Sequence, residues 1–164
     1  MRTEQDWVQE LNLQAHPEGG YFSETYRSEG KIAGDALPEG FSGDRVFGTA
    51  IYYLLGPKDK SHLHRLQADE VWHFYAGGRL EISVIHPDGR LETIALGSDP
   101  AQGERFQAVV SAHAWFGARP VAGTYALVGC TMAPGFEFSD FELAERDALT
   151  KQFPEYKEII QRLT

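Results

Sequence analysis

The chain has 164 residues, a formal net charge of −9, 42% hydrophobic residues and 24% charged ones. That length suits one domain able to bury a core without covalent staples, and the acidic balance argues against a nucleic-acid partner, whose binding relies on clustered Lys and Arg that displace counterions. Cys130 is the only cysteine, so no intrachain disulfide forms; inside the apolar run ALVGCTM it reads as a small buried hydrophobe.

At the N-terminus, MRTEQDWVQELNL places acids and amides where a signal peptide needs a continuous apolar stretch, and no run approaches membrane-spanning length. The expectation is a soluble, cytoplasmic protein with no membrane partner. Thr3, followed three residues later by Asp6 and by Trp7, Val8 and Leu11 at helical spacing, predicts a short capped helix. From Gly19 to Ser28 alternation predicts a strand with Phe22, Glu24 and Tyr26 on one face and Tyr21, Ser23, Thr25 and Arg27 on the other. The stretch 29–44, rich in Gly, Pro and acids, predicts a long exposed loop.

Between Arg45 and about Ala133, short β-prone segments alternate with turn signals, which predicts a closed or sandwiched all-β unit. Asp88-Gly89 marks a two-residue hairpin between two alternating strands. From about Ala144 the pattern turns helical, with Pro154 suited to a first turn and Tyr156, Ile159, Ile160 and Leu163 forming an apolar stripe that caps the barrel. No repeat or composition shift marks a boundary, so residues 1–164 are expected to form one domain with helical ends.

The segment GPKDKSHLHRLQADEVWHFYAG carries the chemistry. Alternation puts His62 and His64 on one strand face, and after a turn at Gln67-Ala68 a second strand offers Glu70 and Trp72 together. Two imidazoles and one carboxylate make a set suited to a divalent ion, Zn, Ni, Mn or Fe, with open positions for a ligand. A bound ion and none both stand as alternatives. Glu70 beside an indole in a barrel mouth is desolvated, which raises its pKa and favours proton transfer. His73 falls on the opposite face, and the alternative for Glu70 is a structural hydrogen bond or an ion pair with Arg65.

Gly56, His62, His64, Glu70 and Gly77 resemble the first motif of the cupin superfamily, except that five residues rather than three or four separate His64 from Glu70. The resemblance implies a cupin double-stranded β-helix, a jelly-roll barrel, with His62, His64 and Glu70 as metal ligands. In the later motif SAHAWF aligns best, setting Ser111 at the usual proline, His113 at the usual glycine and Phe116 where a fourth histidine ligand is usual. HPEGGYFSETYRS, from His16 to Ser28, resembles the opening signature of a small, largely uncharacterised single-domain cupin family, and SHLHRLQADEVWHFYAG its central motif. GGYFSE is also similar to the start of the dTDP-sugar 3,5-epimerases, in which an aromatic and a carboxylate at the positions of Phe22 and Glu24 hold the nucleotide; Gly19 stands where those enzymes have arginine.

These resemblances imply a homodimer and a small-molecule pocket: an isomerase or epimerase acting on a sugar or sugar-nucleotide-like ligand, with His64 as base and Glu70 as acid. Phe22, Glu24, Tyr26, Arg65, Trp72, Trp115 and Phe116 are the expected ligand-binding residues. The alternative is a non-catalytic module that binds a small ligand in the same pocket.

Overall fold

A computed structural model of the chain describes residues 2–121 and 123–164. Thr3 caps α1 (Glu4–Glu10): its hydroxyl accepts from the Asp6 amide at 3.3 Å while the Asp6 carboxylate accepts from the Thr3 amide at 2.7 Å. Trp7, Val8 and Leu11 pack on Leu13, Leu54 and Leu127, so the short helix is held by its apolar stripe rather than by its own length.

The strands are β1 (Gln14–Ala15), β2 (Tyr21–Arg27), β3 (Lys31–Ile32), β4 (Arg45–Val46), β5 (Thr49–Leu55), β6 (Ser61–Leu66), β7 (Glu70–Gly77), β8 (Leu80–Ile85), β9 (Leu91–Leu96), β10 (Gln107–Val110), β11 (Trp115–Pro120), β12 (Ala126–Met132) and β13 (Phe141–Leu143). One sheet runs β1-β2-β5-β12-β7-β10 and the other β13-β6-β11-β8-β9. Consecutive strands β5, β6, β7 and β8 therefore alternate between sheets, the jelly-roll pattern the strand cadence predicts. Period-2 alternation turns Tyr53, Leu55, Trp72 and Val128 of one sheet toward Leu66, Ile82, Val84 and Phe116 of the other, and these residues form one buried cluster. Cys130 belongs to it, as expected of an inert thiol.

The predicted C-terminal stripe is also present. In α2 (Arg146–Gln152) and α3 (Lys157–Leu163), Leu149, Ile160 and Leu163 bury against Leu63, Ile85 and Trp115, so these helices cover the outer face of the five-stranded sheet. The stretch 29–44 is mostly loop, tied down where β3 pairs with β4. No helix among the described residues is long and apolar enough to cross a membrane.

The hairpin at Asp88-Gly89 differs from expectation. Its strands end in the pair Ile85–Leu91, the His86 amide donates to the Arg90 carbonyl at 2.9 Å, and Gly89 alone has positive φ, at 85°. The loop thus holds three residues, Pro87 to Gly89, because the proline fixes the ordinary negative φ that a two-residue type I′ turn cannot use.

Two β-bulges change which side chains face the barrel interior. Along β6, Ser61 pairs with Ala118 and His64 with Phe116, so three steps on β6 oppose two on β11. Along β2, Glu24 pairs with Ile51 and Tyr26 with Ala50, so Thr25 is the extra residue. Each inserted residue reverses the alternation beyond it.

Candidate functional site

The cavity lies at one end of the barrel, where the end of β2, the start of β5, the end of β12 and the start of β7 meet in the pairs Arg27–Thr49, Met132–Thr49 and Met132–Glu70. Its volume is about 90 Å³, room for roughly three waters at about 30 Å³ each. Residues 136–141 cover it from one side.

The HPEGG segment supplies a carboxylate that strand periodicity does not anticipate. β1 and β2 are joined by a tight turn in which the His16 amide donates to the Gly20 carbonyl at 2.9 Å and the Gly19 amide to the His16 carbonyl at 3.0 Å. Glu18 sits at the tip and lines the cavity. Its Oε1 accepts from the Ser61 hydroxyl at 2.8 Å, and its Oε2 lies 3.2 Å from His64 Nε2. The turn is locked from behind: the His62 amide donates to the Glu18 carbonyl at 2.7 Å and the Tyr53 hydroxyl to the Gly19 carbonyl at 2.7 Å. Burial, then the charge of Glu18, holds the Tyr53 phenol well above its ordinary pKa, so it remains a donor.

Gly19 has φ of 108°, and a Cβ there would drive into the Lys60 carbonyl oxygen. Gly19→Ala is therefore expected to lower stability by about 2 kcal/mol or more and to loosen Glu18 from Ser61. Urea denaturation measures the first effect; a loss under about 0.5 kcal/mol contradicts the reading.

Hydrogen-bond geometry assigns the imidazole protons. His64 Nδ1 is 2.7 Å from the His62 carbonyl oxygen, which only accepts, so that nitrogen carries hydrogen. Nε2 then faces Glu18, whose Oε2 lies 3.2 Å away. The His64 ring is buried between Phe116 at 4.1 Å and Phe141 at 5.2 Å between centroids. His16 is the reverse case: its Nδ1 accepts from the Glu18 amide at 3.1 Å, and burial lowers its pKa, keeping it neutral.

Glu70 enters from β7 and lines the same cavity. Burial, then the negative charge of Glu18, pushes its pKa up to about 8, partly opposed by the hydrogen bond that Trp72 Nε1 donates to Oε2 at 2.7 Å. At neutral pH it is a protonated acid within 8% of full burial, and among the described residues no donor reaches its other oxygen, which opens on the cavity. Cys130 also lines the cavity, and burial with the charges of Glu70 and Glu18 pushes its thiol well up, away from nucleophilic use.

The residues expected from alternation divide in two. His64, Glu70, Phe22 and Glu24 line the cavity. Trp72 and Phe116 are buried just behind it, one bonded to Glu70 and the other stacked on His64. The others do not come in. The β6 bulge puts Ser61 rather than His62 in phase with His64, and the His62 ring instead meets the Glu18 carbonyl oxygen at 2.6 Å through Nδ1. The β2 bulge turns Tyr26 out, 57% exposed, and brings Arg27 in. Arg65 lies outside, over the Trp115 ring at 4.6 Å and paired with Glu142 at 2.7 Å, and Trp115 packs under the C-terminal helices.

His62, His64 and Glu70 consequently do not form a metal set. His62 is outside the cavity, His64 Nδ1 is bound to the His62 carbonyl, and Phe116 stands where the motif has its fourth ligand, its ring against His64. Among the described residues no three His, Cys, Asp or Glu side chains gather closely enough to hold an ion.

The cover is pinned by a buried ion pair. Arg45 donates from Nε to Asp140 Oδ2 at 2.7 Å and from Nη2 to Oδ1 at 2.6 Å, both side chains being 3–4% exposed. Further bonds to the Gly43 and Asp44 carbonyls and the Ser139 hydroxyl satisfy the guanidinium. Asp140 lies between Phe138 and Phe141, so this bond places both rings over the cavity.

Comparison with known proteins places this geometry. The family model described as Cupin superfamily (DUF985) matches residues 5–144. The chain is 40% identical to a Shewanella oneidensis protein of known crystal structure, with a TM-score of 0.89 over 100% of this chain and 98% of that one. A hypothetical protein from Leishmania major is 34% identical, with a TM-score of 0.90 over 99% of both. An uncharacterized protein of Saccharomyces cerevisiae is 28% identical over 145 residues, 83% of this chain and 72% of the yeast protein. Oxalate decarboxylase of Bacillus subtilis, at 14% identity and a TM-score of 0.55 over 92% of this chain and 37% of that one, shares the fold. With its barrel, its motifs and the extent of the family match all in agreement, the chain belongs to the Cupin_5 (DUF985) family of the cupin superfamily.

Proposed function

We propose that this cupin is an isomerase or epimerase-like enzyme that moves a proton on a small, polar, sugar-like molecule held in the barrel cavity. Membership of the cupin superfamily supports the coarser statement, a small-molecule-binding barrel. The observation that carries the finer one is a pair of carboxyl groups in one cavity with opposite environments: Glu18 accepts from the Ser61 hydroxyl and lies beside His64, while Glu70 is desolvated and protonated. Environments that separate two acids in this way assign a base and an acid.

In this reading the Glu18–His64 pair takes a proton from a carbon beside a carbonyl. The electron pair moves toward the carbonyl oxygen, which receives the proton of Glu70 to give an enol; Glu70 takes that proton back while the carbon receives one on its opposite face, which completes the epimerisation. Ser61 and the His62 carbonyl hold the pair in place. His64 Nδ1 is held by the His62 carbonyl and Nε2 lies 3.2 Å from Glu18, so the imidazole acts together with Glu18. No step needs a metal.

Aldoses, ketoses and their amino derivatives, incubated with the protein in deuterium oxide and followed by proton NMR, test this. Exchange at carbon is expected with at least one, slowed roughly a hundredfold or more by Glu18→Gln and by Glu70→Gln. A compound that raises the apparent stability of the protein while none exchanges would establish the non-catalytic binding module instead.

A further inference from the structure

Resting on the reading of this cavity as the ligand site, we infer that its ligand is a small organic cation: an amine-bearing molecule of about monosaccharide size without phosphate or carboxylate. Arg27 is the one arginine or lysine lining the cavity among the described residues, and four of its five donors are already taken. Nε and Nη2 bind Glu24 at 3.0 and 2.9 Å, Nη1 binds Glu137 at 3.0 Å, and Nη2 also reaches the Phe136 carbonyl at 3.1 Å. An anionic group would find one Nη1 hydrogen left, with the carboxylates of Glu24 and Glu137 beside it. Two carboxylates against one guanidinium leave the mouth with a net negative charge.

Deeper in, the charges cancel or vanish. Glu18 lies 3.2 Å from His64 Nε2, burial keeps His16 neutral, and among the described residues no lysine or further arginine lines the cavity. Glu70, nine-tenths buried, presents an oxygen with no protein partner to the cavity. Around these groups stand Phe136, Phe138 and Phe141, mutually edge-on with centroids 5.0, 6.1 and 6.4 Å apart, and Phe22. Ring surfaces carry negative potential and attract cations, more so where water is excluded. An ammonium group among these rings with a carboxyl oxygen ahead of it meets only favourable potentials. The diphosphate of a sugar nucleotide meets the reverse, in a cavity of about 90 Å³.

A cation beside Glu70 also favours its ionised form, so binding releases a proton. Such a ligand holds Glu70 ionised, so binding an amine and donating a proton from Glu70 are alternatives at this site.

Calorimetry with two matched sets tests the proposal near neutral pH: glucosamine, glucose and glucuronate, and ethanolamine, ethylene glycol and glycolate. At least one amine is expected to bind saturably, with a Kd about tenfold or more below those of its hydroxyl and carboxylate counterparts. Glu137→Gln, a conservative change at a half-exposed site, is expected to weaken it about threefold. Repetition in buffers of different ionisation enthalpy is expected to show proton release that Glu70→Gln abolishes. The proposal is overturned if a hydroxyl or carboxylate counterpart binds as tightly, or if neither amine binds. Deuterium exchange separates this from the reading beneath it: an amine that binds without exchange removes the catalytic role and keeps the ligand class, whereas a neutral sugar that exchanges does the opposite.

Discussion

Glu70→Gln is expected to make the protein more stable above pH 8, by on the order of 4 kcal/mol, and to have little effect below about pH 4.5. The side chain keeps its shape, and an amide oxygen can still accept from Trp72 Nε1, now 2.7 Å from the carboxyl. What changes is the proton. In the fold Glu70 holds it until about pH 8, whereas unfolding restores the ordinary value near 4.5. Between those limits the unfolded chain binds fewer protons than the folded one, so stability falls as pH rises and levels off above the folded value. Below about 4.5 both states are protonated and the penalty is absent. Denaturation of the two proteins at several pH values isolates the effect as their difference; parallel curves would contradict the burial of an uncompensated acid.

Arg45→Ala is expected to cost about 3–5 kcal/mol, because it leaves Asp140 charged and buried without its bidentate partner. The damage should extend to the cavity, since Asp140 holds Phe138 and Phe141 over it. Replacing the two together, Arg45→Met with Asp140→Leu, is expected to recover most of the loss, as apolar pairs commonly do in place of buried ion pairs. Urea denaturation decides: a single-variant loss below about 1 kcal/mol would mean that water already solvates the pair.

The barrel was legible because its signals are local. Capping at Thr3 and Asp6, alternation along β5, β7 and β8, and the apolar stripe of Ile160 and Leu163 each need only a few neighbouring residues. The motif containing His64 and Glu70 likewise led to two residues of one cavity. Alternation failed at His62, Tyr26 and Arg27, in each case because a bulge inserts one residue and reverses every face beyond it. The β6 bulge depends on Gly117 across the sheet, where a Cβ would stand 2.8 Å from the Ser61 carbonyl oxygen, so no window around His62 reveals it.

Glu18 and His16 were missed for a different reason. Loop side chains have no period, and strand reasoning begins only at Gly19. The available signal was HPEGG itself: proline before an acid and two glycines after it mark a chain that reverses sharply and leaves the acid at the tip. Trp115 shows the opposite lesson, since alternation alone puts it and Phe116 on different faces, and they do part, one to the helices and the other to His64. The cover over the cavity was beyond sequence reasoning, for Arg45 and Asp140 lie 95 residues apart.

Everything chemical in this site depends on Glu70 keeping its proton at neutral pH while Glu18 lies in the same cavity. Carbon-13 NMR of glutamate-labelled protein, with the Glu70→Gln variant to assign the side-chain carboxyl resonance, measures that proton directly. A titration midpoint near pH 8 is expected; a midpoint in the ordinary range near 4–5 would place Glu70 in water and contradict the arrangement of acid and base proposed for the cavity.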